Sequence, residues 1–579
     1  MSARGPKPKP LATRASCPGV SVYPSPNTKT ASPTTQISFR NASALAVTNS
    51  GVTVTGAQSG VHSGRWVADS DRRGASFYPT KKFTAGEKVT VTTDRPLCGA
   101  GGNSDHFQIA IRPGPLAKSS PAKPAPTPTL DQPTTTYLTM PSVHVPQLSV
   151  AVTASLGGGY IFESPQGGTV LGGPMIVDGK GNLVWFEPLP PTVVAADFRV
   201  QTYHGEPVLT YWQGKITDGH GNGVDIVMNS SYQVIATIKP GDGYSADLHE
   251  FLLTDSGNTA WVTAFNSVGW NLKAEGGPAN ADVLDGIVQE VDVATGNVLF
   301  EWHSLDHAAI SLSNQDYQNT AEYDYFHVNG IDPLTTGLVL VSSRNTSTVY
   351  GIAKGTGRVV WRLGGKQSCF KMGTGAEFKL QHNAVMHGRD TISIFDDEDA
   401  SPDKDPGRAI ILNLNFTTRH ATLDRTYAHS GLIIPAQGNV QLLANGDVVV
   451  GWGSGHATSE FTKHGKLLFD AAFGTAISSY RAYLDPWVGT PTTPPAVATA
   501  DPSSGGLSVY ASWNGSTQTS RWEVLGGSSP GHLTVLATVR KHGFQTSVHL
   551  ASVPALVQVV AEGSDGEALA GSAVISSKS

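Results

Sequence analysis

Three histidines and one arginine stand out as residues that could do chemistry. They are His249 in Asp247-Leu-His249-Glu-Phe-Leu-Leu, His327 in Asp324-Tyr-Phe-His327-Val-Asn329, Arg344 in Leu340-Val-Ser-Ser-Arg344, and His382 in Leu380-Gln-His382-Asn-Ala. Imidazoles can attack an electrophile or carry a proton at neutral pH. The arginine is a permanent cation whose planar fork suits a tetrahedral oxyanion. Each lies within or beside an apolar run, as at the end of a strand. Together they suggest a site that handles an oxyanion and owns a nucleophilic base.

The elements that must position these groups are strands. The chain has 579 residues, too many for one core, and is rich in Gly, Thr and Val, with almost no long amphipathic helical pattern. That composition predicts an all-β protein of several domains. Residues 1–33 read as a disordered N-terminal segment rich in Pro, Ser, Thr and Lys. Short alternating runs over 34–112 predict a small β-sandwich. Residues 113–135 form a Pro/Ala-rich linker.

An imperfect repeat then runs through 136–484. Its copies include Lys180-Gly-Asn-Leu-Val-Trp185, Thr295-Gly-Asn-Val-Leu-Phe-Glu-Trp302, Thr356-Gly-Arg-Val-Val-Trp361 and Lys463-His-Gly-Lys-Leu-Leu-Phe469, with weaker ones at Ser231 and Thr418. A turn followed by an apolar strand, recurring every ~45–65 residues, fits one four-stranded blade per copy. Six copies predict a six-bladed β-propeller. Residues 485–502 read as a second linker, and 503–579 as a fibronectin-III/Ig-like β-sandwich with an early Trp513 and Trp522.

The net charge of −6 with 15% charged residues shows no basic stripe, so nucleic acid is not an expected partner. No run approaches the ~20 apolar residues of a membrane helix. Of the three cysteines, Cys17 and Cys98 bracket the first β-rich region and would bridge in an exported protein, leaving Cys369 as a free thiol; three unpaired cysteines is the other reading.

The four motifs, in this order, resemble the site motifs of the arylsulfate sulfotransferases, six-bladed propellers that move a sulfuryl group between phenols without the nucleotide donor PAPS. The resemblance implies a phenolic sulfate ester as donor, a phenol as acceptor and no cofactor. It places His382 where the family keeps its nucleophile, which carries a transient sulfohistidine. It places His249, His327 and Arg344 where the family binds the sulfuryl oxygens and serves the phenol oxygens, and Asn329 at a supporting donor. It also implies an extracytoplasmic location, although the N-terminus has no apolar core of a signal peptide. Two departures from the better-known bacterial members are the C-terminal sandwich and the lack of a close cysteine pair near the site.

The residues by themselves leave other readings open. Single histidines at strand ends are commonly structural, and three of them could ligate zinc, although the spacing is not a local zinc type and Arg344 would oppose a dication. A propeller that only binds a ligand, or an aryl sulfate hydrolase, would share the scaffold. Tyr325, with Phe326, Trp261, Phe265 and Trp270, offers an aromatic slot for a phenol, and core packing accounts for these rings equally well. The acidic run Asp396-Asp-Glu-Asp399 with Asp403 and Asp405 lacks EF-hand spacing and reads as a solvated loop.

Overall fold

The structure, a computed structural model, describes residues 19–100, 102–114, 134–153, 156, 158–167, 171–318, 322–397, 407–501 and 505–577. Among these the chain is all-β, and its longest helix, Ala44–Thr48, has five residues. Val, Ile, Thr and aromatic side chains in alternating or continuous apolar runs account for the strands.

Among the described residues, six sheets of four or five mainly antiparallel strands occupy the middle of the chain, beside a two-stranded pair of Thr134–Tyr137 and Met140–Pro146. Four of them are simple up-and-down meanders of consecutive strands. The second sheet is Val194–Tyr203, Glu206–Thr217, His220–Met228 and Val234–Ile238. The third is Phe251–Thr254, Thr259–Trp270, Ala281–Asp292 and Val298–His303. The fourth runs from Val328–Pro333 through Leu338–Ser343 and Thr348–Ala353 to Arg358–Gly364. The fifth runs from His382–His387 through Thr391–Asp396 and Arg408–Asn415 to His420–Ala428, with Lys371–Met372 added in parallel at its edge.

The other two sheets join distant segments. In the first, Tyr160–Gln166, Met175–Val177 and Leu183–Phe186 are completed by Ser478–Asp485. In the sixth, the strands from Asn439–Leu442 to Leu467–Ala472 are joined by Ser149–Thr153. Apolar clusters fill the spaces between successive sheets. One packs Trp261, Phe300 and Trp302 of the third sheet against Val328, Val339 and Tyr350 of the fourth. The next packs Leu340, Val349 and Trp361 against Ile392, Ile394 and Ile410 of the fifth.

The flanking units each have two antiparallel sheets around one core. At the N-terminal side Val89, Val91, Phe107 and Ile109 pack with Ile37, Phe39 and Phe77. At the C-terminal side Leu507 and Val509 pack with Trp522, Val524, Val557 and Val559.

Two expected boundaries need correction. Residues 19–33 are not disordered: Ser21–Tyr23 pairs with Ile37–Arg40, and Thr30 Oγ1 hydrogen-bonds Asp285 Oδ2 of the third sheet at 2.5 Å. Composition alone missed them because it registers neither the short strand pairing with Ile37–Arg40 nor contacts such as Thr30 to Asp285, 255 positions away. Strand Ala496–Ala500 likewise falls inside the expected second linker, where it pairs with Leu507–Ser512. Cys98 is disulfide-bonded and Cys369 is an exposed free thiol, while Cys17 lies outside the described residues, as does most of the expected linker 113–135. Among the described residues no helix is long and apolar enough to cross a membrane.

Candidate functional site

The strand order explains why four distant motifs meet. His249, His327 and His382 stand immediately before, or at, the start of the first strand of the third, fourth and fifth sheets. Arg344 and Asp397 follow the second strand of the fourth and fifth sheets. In an antiparallel meander the start of strand one and the end of strand two lie at the same edge. Five side chains are thereby brought to one end of neighbouring sheets.

Each histidine is oriented by a carboxylate on Nδ1. His249 Nδ1 lies 2.5 Å from Asp247 Oδ2, His327 Nδ1 lies 2.5 Å from Asp324 Oδ2, and His382 Nδ1 lies 2.5 Å from Asp397 Oδ2. A carboxylate on Nδ1 fixes that nitrogen as the protonated one and leaves Nε2 for chemistry. His249 and His327 then meet through their Nε2 atoms at 3.1 Å. The His249 and His382 rings are nearly parallel, with centroids 6.5 Å apart. Tyr480, fully buried, packs edge-on against both, 5.6 Å from His249 and 6.3 Å from His382.

The backbone around these rings is tightly tied. His327 takes a left-handed conformation, φ 53°, and Asn383 does the same at φ 46°. Such positions are held only when their surroundings determine them. Arg344 N donates to His327 O at 3.0 Å, Asn345 Nδ2 donates to Asp324 O at 2.7 Å, and Asn383 Oδ1 accepts from Val440 N at 3.0 Å.

Burial and charge set the protonation of the rings. Burial, then the Arg344 guanidinium, holds His382 well below the usual imidazole range. Burial likewise outweighs the Asp324 carboxylate and brings His327 down to about 4. Burial alone would raise Asp324 and Asp247, but their histidine partners hold both below the ordinary carboxylate range. Burial raises Asp397, while the Arg344 charge opposes that rise and favours the ionised form that accepts from His382 Nδ1. Arg344 is half-buried, with Nη1 on Asn345 Oδ1 at 3.1 Å and Nη2 on Pro435 O at 3.3 Å.

Beneath His249 and Tyr480 lies a fully buried Arg481. Its Nη1 donates to Asp197 Oδ1 and Glu250 Oε1, and its Nη2 to Glu250 Oε2, all at 3.0 Å. Nη2 also reaches Asn329 O at 3.2 Å. Glu250 is the residue after His249, so this ion pair anchors the His249 strand.

Two expected substrate contacts are corrected here. Tyr325 is fully buried in the core between the third and fourth sheets, and its hydroxyl donates to Ala308 O at 3.3 Å. Asn329 is also fully buried, and its Nδ2 donates to Gln381 O at 2.7 Å, bracing the residue before His382 rather than facing a ligand. Of the remaining rings, Phe265 lines the site, 6.0 Å from His327 and 6.2 Å from His249; Trp261 and Phe326 belong to the core. Asp396 and Asp397, expected in a solvated loop, are buried, because Asp396 accepts from Lys379 N and Arg408 while Asp397 holds His382. The rest of that run lies outside the described residues.

Residues 199–474 match the arylsulfotransferase (ASST) family model. The ASST match covers a little under half of the chain and includes all three histidines, their carboxylates and Arg344; Tyr480 and Arg481 lie beyond it. No curated protein matches the chain. Among solved structures the chain resembles a protein of unknown function from Bacteroides caccae (12% identity, TM-score 0.35, covering 56% of this chain and 98% of that one). It also resembles a streptogramin B lyase (10%, 0.30, 63% and 91%) and a virginiamycin B lyase from Staphylococcus aureus (9%, 0.27, 63% and 95%). Likenesses this weak carry no argument about fold or activity.

His220, which sequence reasoning did not single out, joins the ASST-matched cluster: its Nε2 lies 3.1 Å from Asp324 Oδ2. His220, Asp324 and His327 hold ligand atoms within 4.8 Å of one another, as a metal site would. Both imidazole nitrogens already have Asp324 Oδ2 as hydrogen-bond acceptor, so hydrogen bonds alone account for the grouping. A cleft of about 550 Å³ is lined by Thr192, Lys215, Thr217, Gln437 and Ser478. A larger one of about 700 Å³ is lined by residues 424–427 and 463–465, away from the histidines.

Proposed function

We propose that this protein transfers a sulfuryl group from a phenolic sulfate ester to a phenolic acceptor, through a sulfohistidine on His382. The observation that carries the reading is the convergence of three carboxylate-oriented histidines and Arg344 at one edge of successive sheets, inside a segment that matches the ASST family. We read the six sheets as the blades of a six-bladed propeller, supported by their meander order and by the two closures between distant segments. The paired sheets at either side fit β-sandwiches, the C-terminal one of fibronectin-III type.

Sulfuryl transfer resembles phosphoryl transfer: charge spreads over three equatorial oxygens, and nucleophile and leaving group stand in line. His382 supplies the nucleophile, unprotonated at neutral pH because of its burial and the nearby Arg344 charge. In the first half-reaction the Nε2 lone pair attacks sulfur and the bond from sulfur to the aryl oxygen breaks. The departing oxygen takes the proton held between His249 and His327. In the second half the acceptor phenol returns a proton to that pair, its oxygen attacks sulfur, and the N–S bond breaks with its electrons returning to Nε2. Arg344 offers its fork to the sulfuryl oxygens, a geometry lysine does not reproduce. A covalent intermediate of this kind gives ping-pong kinetics.

The test is release of a chromogenic phenol from its sulfate, with and without a second phenol, beside His382→Ala. Release that depends on the second phenol and disappears in the variant supports the reading. Release without acceptor indicates hydrolysis, and silence across a broad donor panel from folded protein overturns the reading in favour of a binding protein.

A further inference from the structure

The hairpin between Glu206–Thr217 and His220–Met228 touches both carboxylates that orient the histidine pair. Its turn residues Asp218 and Gly219 have φ 48° and 84°, the two positive values of a type I′ turn. This tight turn delivers two adjacent donors. The ring of His220 reaches Asp324 Oδ2 at 3.1 Å, and the backbone N–H of Gly221 reaches Asp247 Oδ1 at 2.6 Å. Asp324 Oδ2 therefore accepts from two imidazoles at once, His220 and His327. His220 is half-buried, whereas His249 and His382 are buried, so its ring lies on the solvent side of the chain His220, Asp324, His327, His249, Asp247.

We propose that His220 is a positioning residue for the His249–His327 pair: by sharing Asp324 Oδ2 it sets how strongly that carboxylate holds the His327 Nδ1 proton, and it joins the pair to solvent. The inference rests on the sulfotransfer reading for its consequence in turnover, but not for its physical content. The groups facing His220 are Asp324, Asp247 and Glu322, all of which favour its charged form, and the His327 ring at 5.1 Å, with the Phe265 ring edge-on at 4.5 Å. Although burial opposes it, Asp324 leaves His220 above its ordinary range. A cation at His220 disfavours a second cation at His327. In turnover the pair gives one proton to the departing phenolate and regains one from the acceptor, so its affinity for that proton fixes the pH range of activity.

The experiment is histidine-ring NMR on the full chain with labelled histidine, comparing wild type with His220→Gln and His220→Lys, alongside the pH dependence of aryl sulfate turnover. Gln keeps a donor toward Asp324 but loses the charge. His327 should then titrate at higher pH by roughly half a unit or more, the change expected from one nearby charge, and the turnover profile should move up with it. Lys restores a cation and should return the titration toward wild type. An unmoved His327 titration in folded His220→Gln overturns the proposal, whether or not the protein turns over aryl sulfates. Absence of turnover in wild type overturns the sulfotransfer reading alone. If neither variant folds, the wild-type spectrum decides: His220 and His327 must titrate as one coupled pair, and independent titrations overturn the proposal.

Discussion

His327 Nε2 faces His249 Nε2 at 3.1 Å while Nδ1 of each ring is held by its own carboxylate. Four ring nitrogens in three hydrogen bonds require three protons, one of them between the rings. The pair is thus a proton store in a buried site, with the Phe265 and Tyr480 rings packed against it. His249→Gln and His327→Gln should each lower kcat by about 10²–10⁴-fold, the usual contribution of general acid–base catalysis. The loss should grow as the leaving phenol becomes more basic, since a good leaving group needs no proton. A series of substituted phenyl sulfates measures this dependence, and an equal loss across the series would remove the acid–base role.

Asp397→Asn should leave the fold intact and lower kcat by about 10–100-fold, because outer partners of a reactive imidazole act by fixing its tautomer. An amide in place of Asp397 Oδ2, 2.5 Å from His382 Nδ1, can donate instead of accept and so favours the wrong tautomer. If His382 carries the sulfuryl group as proposed, trapping a labelled sulfuryl group there by rapid quench should show slower formation of the intermediate in the variant. Unchanged formation would separate Asp397 from the chemistry.

Arg344→Lys keeps the charge and loses the fork, so it should cost about 10²–10³ in kcat, the range found for one oxyanion donor. Arg344→Met removes the charge as well. Because that charge helps hold His382 below its ordinary range, the acid side of the pH profile should move to higher pH in Arg344→Met and stay in place in Arg344→Lys. The two profiles, measured together, separate geometry from field.

How much of this was legible in the chain differs from residue to residue. The three histidines and Arg344 lie where apolar strand patterns begin or end, and strand ends at one edge of consecutive meanders converge, so the motif positions carry real spatial information. Asp397 misread as a solvated charge because a run of acids averages toward solvent, whereas its burial is decided by His382, 15 positions away. Tyr325 read equally well as a ligand wall or as a core ring, and no local pattern decides between them, because it lies in a bend before the strand that begins at Val328. His220 follows an Asp-Gly turn signal that the sequence does display, but its partner Asp324 is 104 positions away, beyond any local pattern.

The pH dependence of stability follows from the same burial. His327 falls from its ordinary 6.5 to about 4, with burial as the largest cause, and His307 does likewise. In the unfolded chain both rings bind protons near pH 6.5, and in the folded protein only near pH 4. Between those values the unfolded state holds more protons, so stability is fully present above about 6.5 and is lost as pH falls toward 4. Thermal unfolding midpoints should decline across that interval, and His307→Gln should flatten part of the decline. A midpoint constant from pH 7 to 4 would contradict the assigned burial.

Arg481 supplies the sharpest test of how the site is held. Its guanidinium is fully buried, bidentate to Glu250 and bonded to Asp197, with Arg199 Nη2 on the same two carboxylates at 2.7 and 2.8 Å. Removing one member of a buried ion pair leaves uncompensated charge and costs about 3–5 kcal/mol, more than the pair itself contributes against an apolar substitute. Arg481→Met should therefore lower stability by about that amount in denaturant unfolding. Glu250 follows His249 directly, so the same variant should loosen the His249 ring and lower kcat while leaving His382 on Asp397. A double replacement, Arg481→Met with Glu250→Gln, removes the stranded charge and should recover stability without recovering kcat. Recovery of both would mean that the network acts on the fold alone, whereas recovery of stability only would tie the buried arginine to the placement of His249.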